Sequence, residues 1–293
     1  MKYLLFFPKG GLNDMLCNIN KIYHYCKKNN RILLINTKIN SESKINLSDF
    51  FIFNHKNVIC DYEEIKNLIY KNNFTIFPRE IKLDNLKLLF KQDNLIKYYK
   101  VNNKGVFKFN DIPLNNFEDD INEDLILLSF CGGGNPISFF MESIYFTDRV
   151  KKEINKKLIS NKKYLSFQVR NTDYKCDYKL LYNNNIDIIK KYESIYLATD
   201  STSALIYFKS KINNLIYYNT ILENENILID KPLHQSIYNK HNIIPQDDIF
   251  LYSLIDLYIC INSDIFLSNS KGGYVNLIRN GIKYKDVFNN KLI

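Results

Sequence analysis

The chain has 293 residues, which suits two domains or one large one. It is 46% hydrophobic and 14% aromatic, ample for a core, yet no apolar run approaches the ~20 residues of a membrane span. The net charge of +9 comes from lysine spread along a chain also rich in Asn, Ile and Tyr, so it reads as a compositional bias and excludes a nucleic-acid stripe.

Met1–Phe7 is too short for a signal peptide and is expected to stay in the mature protein. Lys2–Phe7 reads as a strand and Pro8–Leu12 as a loop. A helix is expected from Asn13 or Asp14, either of which can cap it. Leu16, Ile19, Tyr23 and Cys26 follow at helical spacing, and Lys27 and Lys28 oppose the dipole in the last turn. Arg31–Asn36 returns as a second strand, completing a βαβ unit. Residues 40 to 125 mix strand-like pieces, Asn57–Cys60 and Phe74–Phe77, with a helical stretch at Leu83–Tyr99, in no readable order. Asn115–Asp124 is an acidic surface loop before the strand Leu125–Phe130.

Thr147 is expected to cap a helix with Val150, Ile154 and Leu158 on one face and lysines on the other. It bridges two halves, 1–146 and 147–293. The second half alternates: strand Tyr164–Val169, helix around Ile186–Lys191, strand Ile195–Ala198, helix Ser201–Phe208, strand Leu215–Asn219. A helix Asp248–Ile259, a strand Ile265–Leu267 and a helix from Tyr274 close the chain. This is the pattern of a doubly wound parallel sheet in an α/β protein.

Seven of the nine glycines fall in three clusters, each just after an apolar run: Gly10-Gly11, Gly132-Gly133-Gly134 and Gly272-Gly273. Such turns place ligands at strand C-terminal ends. Four turns are candidates, each with a plain structural alternative. Pro8–Asp14 can receive an anion or a substrate hydroxyl, or be an ordinary tight turn. Gln168–Asp173 carries Arg170, one of only five arginines, whose fork of donors fits a diphosphate or carboxylate, or pairs with Asp173 to shape a turn. Asp200 can accept from a ribose or a base, or cap a helix. Ser268-Asn269-Ser270-Lys271-Gly272-Gly273 offers hydroxyls, backbone N–H groups and Lys271 to a phosphate, or is a capped loop. Nowhere do two aspartates stand two apart, so no Asp-x-Asp metal motif is present and no metal is expected. Six scattered cysteines without a Cys-x-x-Cys suggest reduced thiols in a cytoplasmic protein.

At these motifs the chain resembles the fucosyltransferase superfamily of GT-B glycosyltransferases. The family's Gly-Gly-Leu-Gly-Asn-Gln type turn is similar to Gly10-Gly11-Leu12-Asn13-Asp14-Met15. Its His-x-Arg-Arg-x-Asp strand end is similar to Gln168-Val169-Arg170-Asn171-Thr172-Asp173, with Gln for His and Asn for the second Arg. Its strand ending in Ser/Thr-Asp resembles Tyr196–Asp200. Its Asn-Ser-Thr-Phe-Ser type loop resembles Asn269–Gly273 after Asp256, without the aromatic. The resemblance implies two Rossmann-like domains with a cleft between them, the first on the acceptor side and the second binding a nucleotide sugar. It implies metal-independent inverting transfer, most often of fucose from GDP-fucose, to a glycan or glycolipid hydroxyl. Arg170 would be the donor-phosphate ligand, with Asp173, Asp200, Ser268, Ser270, Lys271 and Gly272 around the donor. Asp14 would be the acceptor-side base. No cofactor beyond the donor is implied. The basic surface is compatible with a peripheral position at a membrane face. Transfer of another activated sugar, and a non-catalytic glycan- or nucleotide-binding role, remain the alternatives.

Overall fold

Leu4-Leu5-Phe6, Leu33-Leu34-Ile35 and Leu125-Ile126-Leu127-Leu128 lack the alternating polar residues of a half-exposed strand, so they demand a sheet covered on both faces. The computed structural model, which describes residues 1–8, 10–38, 45–79, 81–91, 121–129, 144–157, 163–171, 176–218 and 246–290, supplies such sheets in two compact units. The units divide between Thr147 and Asp148, and the second runs to Asn289.

The first unit contains β1 (Lys2–Phe6), α1 (Leu12–Lys28), β2 (Arg31–Ile35), β3 (Phe51–Phe53), β4 (Val58–Ile59), α2 (Tyr62–Lys71), β5 (Ile76–Phe77), α3 (Leu83–Lys91), β6 (Leu125–Leu128) and β7 (Ile144–Phe146). Five strands form a parallel sheet in the order β4-β2-β1-β6-β5. Leu5 pairs with Leu34 on one side and Leu127 on the other. These leucines bury against Ile65 and Ile69 of α2 and Leu86 and Phe90 of α3. The strand-like pieces that the sequence left unordered are the two edges of this sheet. Leu83–Tyr99 is helical through Lys91, and the remainder lies outside the described residues, as do Gly132–Gly134.

Arg31 is 1% exposed at the start of β2. A buried guanidinium is costly unless its donors are used. Here it donates to the carbonyls of Tyr3, Glu123 and Ile121, tying together the amino ends of three strands. β3 and β7 form a separate antiparallel ribbon in which Phe51 and Phe146 stack with centroids 5.9 Å apart. Thr147 continues that ribbon. Its N–H donates to Phe50 O and its hydroxyl to Asp49 O, so the hydroxyl expected to cap the next helix is turned toward the first unit.

The second unit holds α4 (Asp148–Lys157), β8 (Tyr164–Val169), α5 (Tyr178–Asn183), α6 (Ile186–Ile189), β9 (Ser194–Thr199), α7 (Thr202–Lys211), β10 (Leu215–Ile216), α8 (Gln246–Asn262), β11 (Ile265–Leu267), α9 (Gly273–Lys283) and α10 (Lys285–Asn289). The four strands are parallel in the order β10-β9-β8-β11. Where one helix was expected around Ile186, two short ones stand, separated by a turn. Phe167 and Phe208, with centroids 5.0 Å apart, anchor the core between β8, β9 and α7.

From Leu254 to Ile261 every residue of α8 is buried, because the helix packs on β8, β9, α4 and α9 together. Asp256 lies within that stretch and accepts a hydrogen bond from the Tyr196 hydroxyl. Burial pushes its carboxyl from 3.8 up to about 7, opposed by that bond. The folded protein therefore keeps a proton that the unfolded chain has lost between about pH 4 and pH 7, and stability falls as pH rises through that window. Asp256→Asn retains an acceptor for Tyr196 and removes the titration. The unfolding free energy of the wild type should drop relative to that variant by up to about 4 kcal/mol between those pH limits, measured by denaturant titration. Parallel pH profiles would contradict the assignment.

Candidate functional site

In the second unit β8 has β9 on one side and β11 on the other, although β11 comes last in the chain. The order of strand addition thus reverses beside β8, and in open parallel sheets ligands gather outside the strand C-terminal ends at that position. Register decides which residues meet there. Val169 pairs with Thr199 and Phe167 with Leu267, so one step further Arg170 comes level with Asp200, and Gln168 with Ser268.

The loop after β11 folds on itself through its hydroxyls. Ser268 Oγ donates to Gln168 Oε1 at 3.0 Å and accepts Ser270 N–H at 3.2 Å. Ser270 Oγ accepts Gly272 N–H at 3.3 Å. Two backbone N–H groups expected to face a phosphate are thus used within the loop. The Ser270 hydroxyl, the Arg170 guanidinium and the first turn of α9, whose leading N–H groups have no intrahelical partner, are the donors grouped at this loop. Gly272 is the N-cap of α9, without a side-chain cap hydrogen bond. A methyl group on it would lie 3.2 Å from Arg170 Nη1 and 3.6 Å from Ser270 Oγ. A guanidinium, a hydroxyl and a helix amino end therefore surround one small space. The Asn269 side chain donates to Asp177 O, fixing the loop to the start of α5, and Arg279 donates to Ser268 O at 3.3 Å. Lys271 is exposed.

Asp200 does not cap α7. Ser201 does, accepting Ala204 N–H, while Asp200 Oδ1 accepts Asn171 N–H at 3.0 Å. The Asn171 side chain donates to Ser201 Oγ at 3.3 Å. Thr199 Oγ1 bridges the same strands, donating to Val169 O and accepting Ser201 N–H. Cys176 follows this turn, and burial pushes its thiol up to about 11, against the lowering by the Arg170 backbone, so it stays protonated at neutral pH. Asp173 lies outside the described residues.

The glycine turn of the first unit differs from its sequence reading. α1 starts at Leu12 with Gly11 as N-cap, so neither Asn13 nor Asp14 caps it. Gly10 has φ +92°, a conformation that favours glycine, and its missing side chain leaves room for Asp14, whose Oδ2 lies 3.0 Å from where a Cβ would stand. Asp14 is half-buried and folded back over the turn. Asn13 is buried, and its side-chain oxygen has no hydrogen-bond partner.

The arrangement on the second unit brings Arg170, Ser268, Ser270 and Gly272 together and sets Asp200 beside them through Asn171. Sequence reading passed over Gln168 as a bracing residue and Arg279 as a second guanidinium at the loop. The rarity of arginine was the available signal for the latter. Among the described residues no group of three or more His, Cys, Asp or Glu is placed to hold a metal, and no helix is long and apolar enough to cross a membrane.

The fold is similar to that of solved fucosyltransferases. The Bradyrhizobium fucosyltransferase NodZ superposes with TM-score 0.58 at 14% identity, over 95% of this chain and 93% of that one. A NodZ α-1,6-fucosyltransferase soaked with GDP-fucose gives 0.57 and 14%, over 96% and 92%. POFUT1 in complex with GDP gives 0.52 and 10%, over 99% and 96%. The chain thus has the mixed α/β, parallel-sheet fold of these fucosyltransferases. No protein-family model matches the sequence, and no curated protein matches it.

Gly272→Ala introduces no backbone strain, since φ is −73°, but places a methyl between Arg170 and Ser270. It should weaken binding of inorganic pyrophosphate about tenfold at a stability cost within ~1 kcal/mol. Unchanged pyrophosphate affinity by calorimetry would remove this space from the site.

Proposed function

We propose that the protein is a fucosyltransferase-like glycosyltransferase that moves a sugar from a GDP-sugar, with GDP-fucose the first candidate, to a hydroxyl of a glycan or glycolipid. The observation that carries this reading is the Arg170 guanidinium lying against Gly272 at the uncapped amino end of α9, with Ser270 Oγ beside it. Two positive features held so close suit a bound diphosphate. The fold shared with proteins solved with GDP and GDP-fucose makes a guanosine diphosphate the natural choice.

In this reading the GT-B organisation holds, with the unit ending near Thr147 serving the acceptor and the second unit holding the donor. The acceptor oxygen attacks the anomeric carbon with inversion. The bond from that carbon to the β-phosphate oxygen breaks, and its electron pair leaves with GDP. Arg170 neutralises the charge that develops on the diphosphate, so the cation comes from the protein and not from a metal. Asp200, Ser268 and Lys271, with Asp173, complete the donor surroundings. Asp14, folded over the Gly10 turn, takes the acceptor proton as the hydroxyl attacks. The scattered cysteines suit work in the cytoplasm, and the basic charge suits a membrane face where the acceptor is lipid-linked.

Turnover of GDP-fucose, with release of GDP as the signal, tests this reading. Removing one preorganised cationic donor should cost ~3 kcal/mol in the transition state, so Arg170→Ala should lower kcat roughly a hundredfold without unfolding the protein. If wild type and Arg170→Ala release GDP equally, Arg170 has no such role. If wild type binds GDP and turns over no GDP-sugar, the non-catalytic binding reading takes its place.

A further inference from the structure

We propose that Gln168 is a positioning residue of the anion site, acting on Arg170's neighbours through a directed relay of hydrogen bonds. This rests on the donor-site reading above and adds to it what sets the site's shape.

Gln168 is the fifth residue of a strand whose six residues are all buried, and it is itself 5% exposed. An amide in such a place costs stability unless bonded. Its Oε1 accepts the Ser268 hydroxyl at 3.0 Å. With that proton committed, the lone pairs of Ser268 Oγ point elsewhere, and one accepts Ser270 N–H. Ser270 Oγ in turn accepts Gly272 N–H. The relay ends at the glycine that touches Arg170, with Ser270 Oγ and Arg170 Nη1 bordering the same space. Gln168 fixes the direction of the Ser268 hydroxyl, and the two backbone bonds carry the positioning on from the end of β8 to the N-cap of α9.

Gln168 has the two properties the relay needs. It reaches across to the β11 loop, where the shorter Asn would fall one methylene short. It also remains a neutral acceptor at every physiological pH. An imidazole at this position, as in the motif the sequence resembles, becomes a pure donor when protonated, and Ser268 then loses its acceptor. The glutamine therefore makes the loop's geometry independent of pH. Asn171, two residues past the last strand pairing with β9, braces the other side by holding Asp200 and Ser201. Arg170 stands between the two braces.

The test is a double-mutant cycle on the full chain: Gln168→Leu, Ser268→Ala and the double variant, with GDP affinity by calorimetry and melting of the ligand-free proteins. Gln168→Leu removes the first bond of the relay and Ser268→Ala the first two, and each should raise the GDP Kd about tenfold. Because both act through one bond, the double variant should be no worse than either single one. A merely structural glutamine would lower the melting temperature and leave the Kd of the folded protein unchanged, and that result overturns the inference while sparing the donor site. Additive losses, about a hundredfold in the double variant, also overturn it, since the residues would then act separately. If Gln168→Leu does not fold, Ser268→Ala alone decides, because it breaks the same relay at a half-buried loop position outside the strand. If the wild type binds neither GDP nor inorganic pyrophosphate, the donor reading fails and this inference fails with it.

Discussion

Arg170 is held against the amino end of α9, and both are positive. A helix start carries roughly half a unit of positive charge, worth about 0.3–1 kcal/mol against a nearby cation. The protein nevertheless brings them to within contact of Gly272. A guanidinium and a helix amino end held so close suit an anion between them. Everything around it serves to keep the two in place: the register of β8 with β9 and β11, the hydroxyl relay from Gln168, and the bracing of Asn171 by Asp200 and Ser201. In the proposed reading this arrangement at one end of a sheet is what a bound diphosphate would engage.

The precision of that placement depends on elements away from it. α9 owes its position to α8, which is buried along the stretch from Leu254 to Ile261. Tyr274, in the first turn of α9, donates its hydroxyl to Ser253 O of α8. Asp256, one turn further along α8, receives the hydroxyl of Tyr196 from β9. Strand, helix and helix are therefore pinned in sequence by two tyrosine hydroxyls. A site built on such elements is held more closely than one on loops alone. Asp256 was visible in the sequence only as a motif position, and its burial gives it a structural use.

Much of the second unit could be read from the chain. Its strands are largely apolar runs followed by turn residues, and Arg170, Asp200 and Ser270 stand at or just past strand ends, where period and punctuation are informative. The turn chemistry was less readable. Ser201 and Asp200 are both good caps, and only the approach of Asn171 N–H decides which of them caps. Gly11 took the cap position from Asn13 and Asp14 because Asp14 folds back over Gly10 instead. In the first unit the edge strands β4 and β5 are two residues long, too short for any period, and β3 finds β7 far along the chain. Arg31 looked like an ordinary strand start, since nothing local shows that three carbonyls wait for it. Gln168 stood out as a departure from a motif. Its partner, Ser268, is a hundred residues away, so its use follows from tertiary register alone.

The most direct measurement is calorimetric titration of the full chain with GDP, UDP, CMP and dTDP in EDTA, repeated on Arg170→Ala. Selective binding of GDP that is lost or weakened at least tenfold without the guanidinium is the expected result, since charge-assisted contacts of this kind contribute about 1.5–3 kcal/mol. Binding of no nucleotide, or GDP binding indifferent to Arg170, would contradict the diphosphate site at the head of α9.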